Sequence, residues 1–232
     1  MRYQRLEAMI GKQKRTLLQK KKVLVLGLGG VGSYAVEALA RSGVGRLILV
    51  DPDVIDITNI NRQLEALTST VGKQKTDVYR ERIHAIDPDI FVDIYTEKLS
   101  FSNLDQFLAL SPDWIIDAID DIPAKCALME AAGAKKQNFI SSMGFANKLK
   151  PEAIRIAKMR DTFMCPMAKA IRHELNKRQV SLDFPVVFST EKPLVSQNEA
   201  VDLGSVSFVP AVAGLMMASV VIRALIDWEE KE

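Results

Sequence analysis

A glycine-rich turn near the start of the chain constrains its fold more than any other segment. The turn lies between a β-branched and leucine-rich run at 22–28 and a helical pattern at 33–41. It contains four glycines: Gly27, Gly29, Gly30 and Gly32. Gly27 would allow a tight turn, Gly29 a close approach of backbone to phosphate, and Gly32 close packing of helix on strand. The order of strand, turn and helix predicts a βαβ unit that binds a nucleotide phosphate.

An acidic residue stands at the distance from this turn where a ribose would be held. Asp51 ends a second predicted strand, Arg46–Val50, roughly 20 residues beyond the glycines, and a carboxylate there can accept hydrogen bonds from a ribose hydroxyl. The spacing therefore predicts an adenine nucleotide. It fits both a redox dinucleotide such as NAD and ATP.

The rest of the chain alternates between strand-like and helix-like segments. Further strands are predicted at 90–95, 114–119 and 138–142, and helices from Thr70 or Gly72 to 85, near 102–105 and to 134 after Pro123. Beyond Pro151 the order changes to a strand at 154–159, a helix at 166–178 and a strand at 186–189. We therefore expect an α/β, Rossmann-like fold: a mainly parallel sheet with helices on both faces and an antiparallel C-terminal continuation.

We expect one domain over residues 1–232. Its nucleotide-binding part is predicted at about 20–145, and contacts to substrate and to a second subunit at about 146–232. The composition agrees with one globular domain, since 48% of the residues are hydrophobic and 26% are charged. The formal net charge of +2 does not by itself indicate a nucleic-acid-binding protein.

The cysteines and the N-terminus exclude some classes of protein. Cys126 and Cys165 are far apart and form no CxxC pair, which argues against the usual cysteine zinc site and against a disulfide framework. The first residues lack the apolar core of a signal peptide, so we expect a cytoplasmic protein. The apolar segment 206–226 approaches the length of a membrane span, but Ser219 and Arg223 interrupt it. We expect a buried or dimer-interface helix there and no membrane span.

Polar residues at the predicted strand ends distinguish ATP from a redox dinucleotide. A nicotinamide carries its own chemistry, whereas ATP needs cations and Mg²⁺ at its phosphates. The candidates are Asp53, Asn59, Arg62, Gln63, Lys75, Asp117 and Asp120. Arg62 could grip phosphate with its forked guanidinium, Lys75 could act as a point charge, and Asp120 could hold Mg²⁺ through oxygen ligands and waters.

Each of these residues also has an ordinary structural interpretation. Arg62 or Lys75 could be a solvated helix charge, and Asp117 could simply end its strand. The segment 120–123 also fits a helix N-cap followed by a proline turn. It is the convergence of all these residues on one edge of the sheet that favours ATP.

Taken together, these motifs resemble those of the ubiquitin-activating-like superfamily, whose members join carboxylates to AMP with release of pyrophosphate. The matching residues lie in order at 27–33, 51–53, 59–63, 75 and 117–121. Segments 5–11, 140–148, 161–166 and 187–193 are similar to the branch of tRNA threonylcarbamoyladenosine dehydratases. The molybdopterin- and thiamine-pathway branches usually carry CxxC pairs for zinc, which this chain lacks.

The resemblance implies an enzyme that uses ATP to dehydrate, and so to cyclise, N6-threonylcarbamoyladenosine in tRNA through an acyl-adenylate. ATP and Mg²⁺ would be the cofactors. The residues implied in catalysis are Arg62, Lys75, Asp120 and Arg5, and Asp120 would also hold the metal. Those implied in nucleotide binding are Gly27, Gly29, Gly30, Gly32, Asp51, Asp53, Asn59, Arg62, Gln63, Lys75, Asp117 and Asp120. Arg5 would reach the ATP of the neighbouring subunit in a homodimer.

Other functions and partners stay open at this point. The chain could instead activate the C-terminal carboxylate of a small ubiquitin-like sulfur-carrier protein, or it could bind NAD without adenylation. A sulfur-relay protein is a further candidate partner. A tRNA would need basic surface, for which two segments are candidates. They carry Lys12, Lys14, Arg15, Lys20, Lys21 and Lys22, and Lys169, Arg172, His173, Lys177 and Arg178.

Overall fold

A seven-stranded sheet forms the centre of the computed structural model, which describes residues 2–195 and 203–228. The strands are β1 (Lys22–Leu26), β2 (Arg46–Val50), β3 (Phe91–Tyr95), β4 (Trp114–Asp117), β5 (Phe139–Ser142), β6 (Ile154–Lys158) and β7 (Pro185–Ser189). Their spatial order is β3-β2-β1-β4-β5-β7-β6, and every pair is parallel except β6 with β7. The predicted Rossmann-like sheet with an antiparallel continuation is confirmed.

Helices cover both faces of this sheet. They are α1 (Gln4–Ile10), α2 (Lys12–Leu18), α3 (Gly32–Arg41), α4 (Lys75–Ile86), α5 (Leu104–Ala109), α6 (Ile122–Ala134), α7 (Pro166–Lys177) and α8 (Phe208–Leu225). Side chains alternate along β1, so that Val23 and Val25 join the apolar cluster under α3 and α8, whereas Leu24 and Leu26 join the cluster under α5, α6 and α7. Burial of both faces accounts for the nearly continuous apolar strands.

The structure differs from the sequence-based expectation at two places. The helices α1 and α2 were not predicted, because each has only seven residues and so gives a short periodic pattern. The helix expected from Thr70 or Gly72 begins only at Lys75. Residues before it are held in a turn, since Gly72 N–H donates to Ile55 O at 2.9 Å and Ile55 N–H donates to Lys73 O at 2.8 Å.

The apolar helix α8 packs directly on α3. A Cβ built on Gly214 would lie 2.1 Å from the carbonyl oxygen of Val31, so this close approach requires glycine. By length and composition α8 could cross a membrane, but half of its 18-residue window is buried inside the structure. A buried core helix of a soluble protein has the same properties, so α8 is weak evidence for a membrane span.

The strand order places a crevice at one edge of the sheet. The chain leaves β1 towards β2 on one side, and β4 lies on the other side of β1, so the winding reverses between β1 and β4. Ligands of open α/β sheets bind beyond the carboxyl ends of the strands at such a reversal. We call this side of the sheet, where the parallel strands end, the carboxyl edge, and the opposite side the amino edge.

Candidate functional site at the carboxyl edge

Two of the four glycines have no space for a side chain. Gly27 has φ +87°, and a Cβ there would lie 2.8 Å from the carbonyl oxygen of Ala118. A Cβ on Gly32 would lie 1.8 Å from the carbonyl oxygen of Gly27. These glycines let the turn fold tightly between β1 and α3 and approach the loop after β4.

The other two glycines leave the outer surface of the turn open. A Cβ on Gly29 would meet only the side-chain nitrogen Nε2 of Gln63, at 3.7 Å. A Cβ on Gly30 would lie 3.2 Å from Pro210 and 3.5 Å from the side chain of Arg62. The backbone at Gly29 is therefore accessible from the side where Arg62 and Gln63 lie, which suits the approach of a phosphate.

Asp51 fixes the turn to the end of β2. Its carboxylate accepts hydrogen bonds from Leu28 N–H at 2.6 Å and from Asp53 N–H at 2.9 Å, and the residue is only 4% exposed. Burial raises the pKa of Asp51, although the Lys75 ammonium and the two backbone donors lower it. Asp51 thus sits where the sequence predicts, and it already organises the backbone there.

Lys75 lies beside Asp51 and reaches the carboxyl edge from the first turn of α4. Its Nζ is 2.8 Å from Oδ2 of Asp53 and 3.8 Å from Oδ1 of Asp51. The lysine side chain is 5% exposed, whereas that of Asp53 is 60% exposed. Because Asp53 is exposed, the side of the ammonium that faces it is accessible, and Lys75 can hold an anion there, close to the glycine turn.

The segment between β2 and α4 carries three more predicted residues. The Asn59 side chain accepts a hydrogen bond from Asp56 N–H at 3.1 Å. The Arg62 guanidinium donates to Thr58 O at 2.8 Å and has no carboxylate within ion-pair distance in the described part of the chain. Gln63 is buried, and its Oε1 has no hydrogen-bond partner. Arg62 therefore retains guanidinium donors for a phosphate.

Asp117 lies behind the site rather than in it. Its side chain is fully buried, 2.9 Å from the Lys125 ammonium, and it accepts a hydrogen bond from the Ser141 hydroxyl at 2.6 Å. Lys125 also donates to the carbonyl oxygen of Ile119 at 3.0 Å. This network fixes the loop after β4, and it explains why the sheet tolerates a carboxylate in its interior.

Asp120 lies in that loop, after β4. It is exposed and makes no hydrogen bond or ion pair with another residue in the described ranges. Its neighbour Asp121 caps α6 by accepting from Ala124 N–H at 3.0 Å and pairs with Lys98 at 2.7 Å. The N-cap role open for this segment thus belongs to Asp121, and Asp120 keeps its oxygens for a ligand.

The donor set around Asp120 fits only a metal that takes most of its ligands from elsewhere. No group of three or more His, Cys, Asp or Glu side chains that could hold a metal ion exists among the described residues. Mg²⁺ commonly keeps several waters and binds through one or two carboxylates together with phosphates of the substrate. Asp120 is suited to that mode of binding.

Arg5 and the N-terminal basic segment lie at the other end of the sheet. Tyr3 bonds to Ala40 O at the end of α3 and to Asp87 after α4, which anchors α1 at the amino edge. Arg5 is exposed there. In the basic segment Arg15 is buried against the Tyr3 ring, 3.9 Å from its centroid, and Lys21 pairs with Asp113. None of these residues lies at the glycine turn of the same chain.

The basic residues of α7 are divided between exposed and engaged side chains. Lys169, His173 and Lys177 are exposed. Arg172 donates to the Thr162 hydroxyl, and Arg178 pairs with Glu174 at 2.8 Å and with Glu130 at 3.2 Å. The basic residues of this candidate segment therefore do not form one continuous exposed surface.

A cavity of about 560 Å³ opens at the amino edge, far from the glycine turn. It is lined by the first residues of β4, β5 and β7, Trp114, Phe139 and Pro185, and by the ends of α6 and α7. No residue of the predicted site lines it. The chemistry of the carboxyl edge, rather than cavity size, identifies the candidate site.

Sequence reasoning missed the buried polar residues that support the site. Lys125 lies in the mostly apolar helix α6, and its apolar neighbours were the one local signal that it could be buried. Glu65 is 1% exposed, and both of its carboxylate oxygens lack a hydrogen-bond partner. Burial raises its pKa to about 7, while Lys75 and the Tyr79 hydroxyl lower it.

Comparison with known proteins agrees with this geometry. The tRNA threonylcarbamoyladenosine dehydratase of Bacillus subtilis is 41% identical over 239 residues, which cover 97% of this chain and 94% of that protein. The Escherichia coli tRNA N6-threonylcarbamoyladenosine dehydratase in complex with AMP matches with a TM-score of 0.92 and 30% identity, over 97% of this chain and 94% of that one. The same protein in complex with ATP matches with a TM-score of 0.91.

A relative with a different activity matches less of the chain. The sulfur carrier protein adenylyltransferase of Thermus thermophilus is 31% identical over 123 residues, which cover 53% of this chain and 45% of that protein. The family model for the ThiF family, in contrast, matches residues 3–232. The chain therefore belongs to the ThiF family.

Proposed function

We propose that the protein uses ATP to dehydrate N6-threonylcarbamoyladenosine in tRNA. The use of ATP is supported by the convergence of an open glycine turn with Arg62, Lys75 and Asp120 at one edge of the sheet. The tRNA substrate is supported by the similarity to the Bacillus subtilis dehydratase over nearly the whole chain. The substrate carboxylate attacks the α-phosphate, and pyrophosphate leaves. The carbamoyl group of the same substrate then displaces AMP from the acyl carbon, closing a ring with net loss of water.

Each residue at the edge has a part in the first step. Backbone N–H groups of the glycine turn and the first turn of α3 bind phosphate oxygens, and Asp51 and Asp53 bind the ribose. Arg62 and Lys75 stabilise the charge that develops on the α-phosphate and on the leaving pyrophosphate. Asn59 and Gln63 complete the nucleotide contacts.

Asp120 would hold Mg²⁺, and Asp117 would act indirectly. The metal supplies charge neutralisation at the phosphates when it is bound. Asp117 keeps the loop that carries Asp120 in place through Lys125 and Ser141. In this assignment the protein needs no covalent nucleophile, because the carbamoyl group of the substrate accepts the acyl group.

We also propose a homodimer, which would account for a catalytic role of Arg5. It lies at the amino edge in its own chain, so it can contribute to catalysis only at the site of a second copy or after a rearrangement of α1. α8 leaves Phe208 and Leu215 46% and 47% exposed, which offers an apolar surface for the second subunit. We assign Arg5 to the partner's ATP and residues 146–232 to substrate and dimer contacts.

The tRNA would bind along the carboxyl edge, because its modified base has to reach the α-phosphate. Exposed lysines at this edge are Lys150, between β5 and β6, Lys169, at the start of α7, and Lys192, after β7. They suit phosphate contacts better than the N-terminal basic segment at the amino edge. A tRNA substrate also agrees with the expected location in the cytoplasm.

Two other functions have less support. Activation of a sulfur-carrier protein uses the same ATP chemistry, but the sulfur-carrier relative covers about half of the chain. An NAD-binding module leaves Arg62, Lys75 and Asp120 without a role. A sulfur-relay partner remains compatible with the proposed reaction.

The test is a reaction with tRNA that contains N6-threonylcarbamoyladenosine. With ATP and Mg²⁺ we expect one AMP and one pyrophosphate for each nucleoside that loses one water, measured by nucleoside mass spectrometry. NAD should neither bind nor replace ATP. AMP formation only in the presence of a carrier-protein C-terminus, with unchanged tRNA nucleosides, would refute the proposal in favour of sulfur-carrier activation.

A further inference from the structure

Glu65 is a buried acid that the reaction scheme does not yet use. It follows the segment that carries Arg62 and Gln63, and it is 1% exposed. The Tyr79 hydroxyl is its fully buried neighbour and lowers its pKa, but neither the carboxylate oxygens nor that hydroxyl makes a well-formed hydrogen bond. An ionised carboxylate in such surroundings is costly unless a nearby cation compensates for it.

Lys75 is the cation that most favours the ionised form of Glu65, and it already has two other acidic neighbours. Asp53 and Asp51 lie 2.8 Å and 3.8 Å from its Nζ. If all three carboxylates were ionised, the surroundings of this one ammonium would carry an excess of negative charge. Bringing the phosphates of ATP to the same ammonium would add to that excess.

Among the three acids, Glu65 is the one suited to accept a proton. Asp51 receives two backbone hydrogen bonds that favour its ionised form, and Asp53 is exposed and directly paired with Lys75. Glu65 has no direct ion pair with a described residue and no well-formed hydrogen bond to its carboxylate, and burial raises its pKa to about 7 although its own backbone N–H and Lys75 lower it. The groups that face it are Lys75 and Tyr79 from α4 and Asp51 from β2, and the Glu37–Arg82 ion pair lies beyond Tyr79.

We propose that Glu65 takes up a proton when ATP binds, so that Lys75 is left to the phosphates rather than to a third carboxylate. Glu65 is then a positioning residue that acts through Lys75, and this inference rests on the proposed ATP site. Because ATP binding and protonation favour each other, the affinity for ATP should fall as Glu65 ionises with rising pH.

The expected size follows from proton linkage. If bound ATP raises the pKa of Glu65 by one unit from about 7, about 0.4 proton is taken up per ATP at pH 7. The same shift allows the Kd for ATP to rise by up to about tenfold between acidic and alkaline pH. Calorimetric titration of the full-length protein with ATP and Mg²⁺, in buffers of different ionisation enthalpy, measures the uptake.

The control variants separate Glu65 from ATP itself and from its other neighbours. Glu65→Gln should abolish the enzyme-linked uptake and flatten the pH dependence of Kd. Asp77→Asn removes an exposed carboxylate from α4, the helix that carries Lys75 and Tyr79, and should leave both unchanged. Tyr79→Phe should move the midpoint to higher pH, because the hydroxyl lowers the pKa of Glu65.

Two results would overturn this inference. One is an undiminished uptake in Glu65→Gln, and the other is an unchanged midpoint in Tyr79→Phe. A protein that binds no ATP at any pH would instead contradict the proposed function, so the two failures can be told apart.

Discussion

The buried pair of Lys125 and Asp117 gives a prediction whose size follows from the structure. Both side chains are fully buried, and their charged atoms are 2.9 Å apart. Lys125→Met leaves Asp117 as an uncompensated buried charge, which typically costs about 3–5 kcal/mol. For a chain of this size the expected fall in Tm is between about 6 and 20 °C, measured by circular dichroism during heating.

A matched surface pair provides the control. Lys135 and Asp105 are also paired at 2.7 Å, but their side chains are 52% and 87% exposed. Lys135→Met should therefore cost less than about 1 kcal/mol. The double variant Lys125→Met/Asp117→Asn removes both charges and should recover much of the lost stability. Equal falls in Tm for Lys125→Met and Lys135→Met would refute the reasoning.

The same substitution should also reduce activity at temperatures where the variant is folded. Lys125 donates to the carbonyl oxygen of Ile119, which precedes Asp120 in the loop after β4. Loss of this contact lets the carboxylate that would hold Mg²⁺ move, and misplacement by about 1 Å can cost up to a hundredfold in rate. A folded variant with wild-type kcat would show that the loop is positioned by other contacts.

Three further predictions concern the proposed roles at the carboxyl edge. Asp120→Ala and Arg62→Ala should each lower turnover at least about a hundredfold, and only Asp120→Ala should weaken the dependence on Mg²⁺. Turnover within a few-fold of wild type would remove the substituted residue from its proposed role. Arg5→Ala should be nearly inactive alone. A subunit-exchanged mixture with Asp120→Ala should recover roughly a quarter of wild-type activity, because half the dimers are mixed and each mixed dimer has one intact site. No recovery after demonstrated exchange would mean that Arg5 does not act in the neighbouring site. The double variant Lys150→Ala/Lys192→Ala should lower by about 2 the slope of the logarithm of the tRNA association constant against the logarithm of salt concentration, with ATP binding unchanged. An unchanged slope would show that these two lysines do not contact the tRNA.

Local patterns were sufficient to predict the central sheet. Runs such as Arg46–Val50 are apolar and β-branched, and both faces of a parallel strand are buried, so the pattern needs no tertiary information. The glycine turn was equally predictable, because Gly27 has a positive φ and Gly32 lies against the carbonyl oxygen of Gly27 in the same turn. The start of α4 could not be predicted in this way, because the pairing of residues 72–74 with Ile55 and its neighbours is a tertiary contact.

Local sequence patterns could not predict which polar groups are buried. Lys125 and Glu65 look like ordinary solvated charges in sequence. Lys125 becomes buried when α6 packs on the sheet, and Glu65 when its segment packs against Lys75 and Tyr79 of α4. The position of Arg5 at the amino edge likewise depends on how Tyr3 anchors α1 to Ala40 and Asp87. Roles that depend on which edge of the sheet a residue occupies therefore need the three-dimensional structure.

The contact between α8 and α3 connects the outer surface of the protein with the glycine turn. Gly214 places α8 against the carbonyl of Val31, and Pro210 lies next to Gly30 in the turn. If a molecule that packs on the exposed apolar residues of α8 moves this helix, it also moves the glycine turn and so changes the affinity of the proposed site for ATP. Thermodynamic reciprocity then requires ATP to change the affinity for that molecule by the same factor as the molecule changes the affinity for ATP.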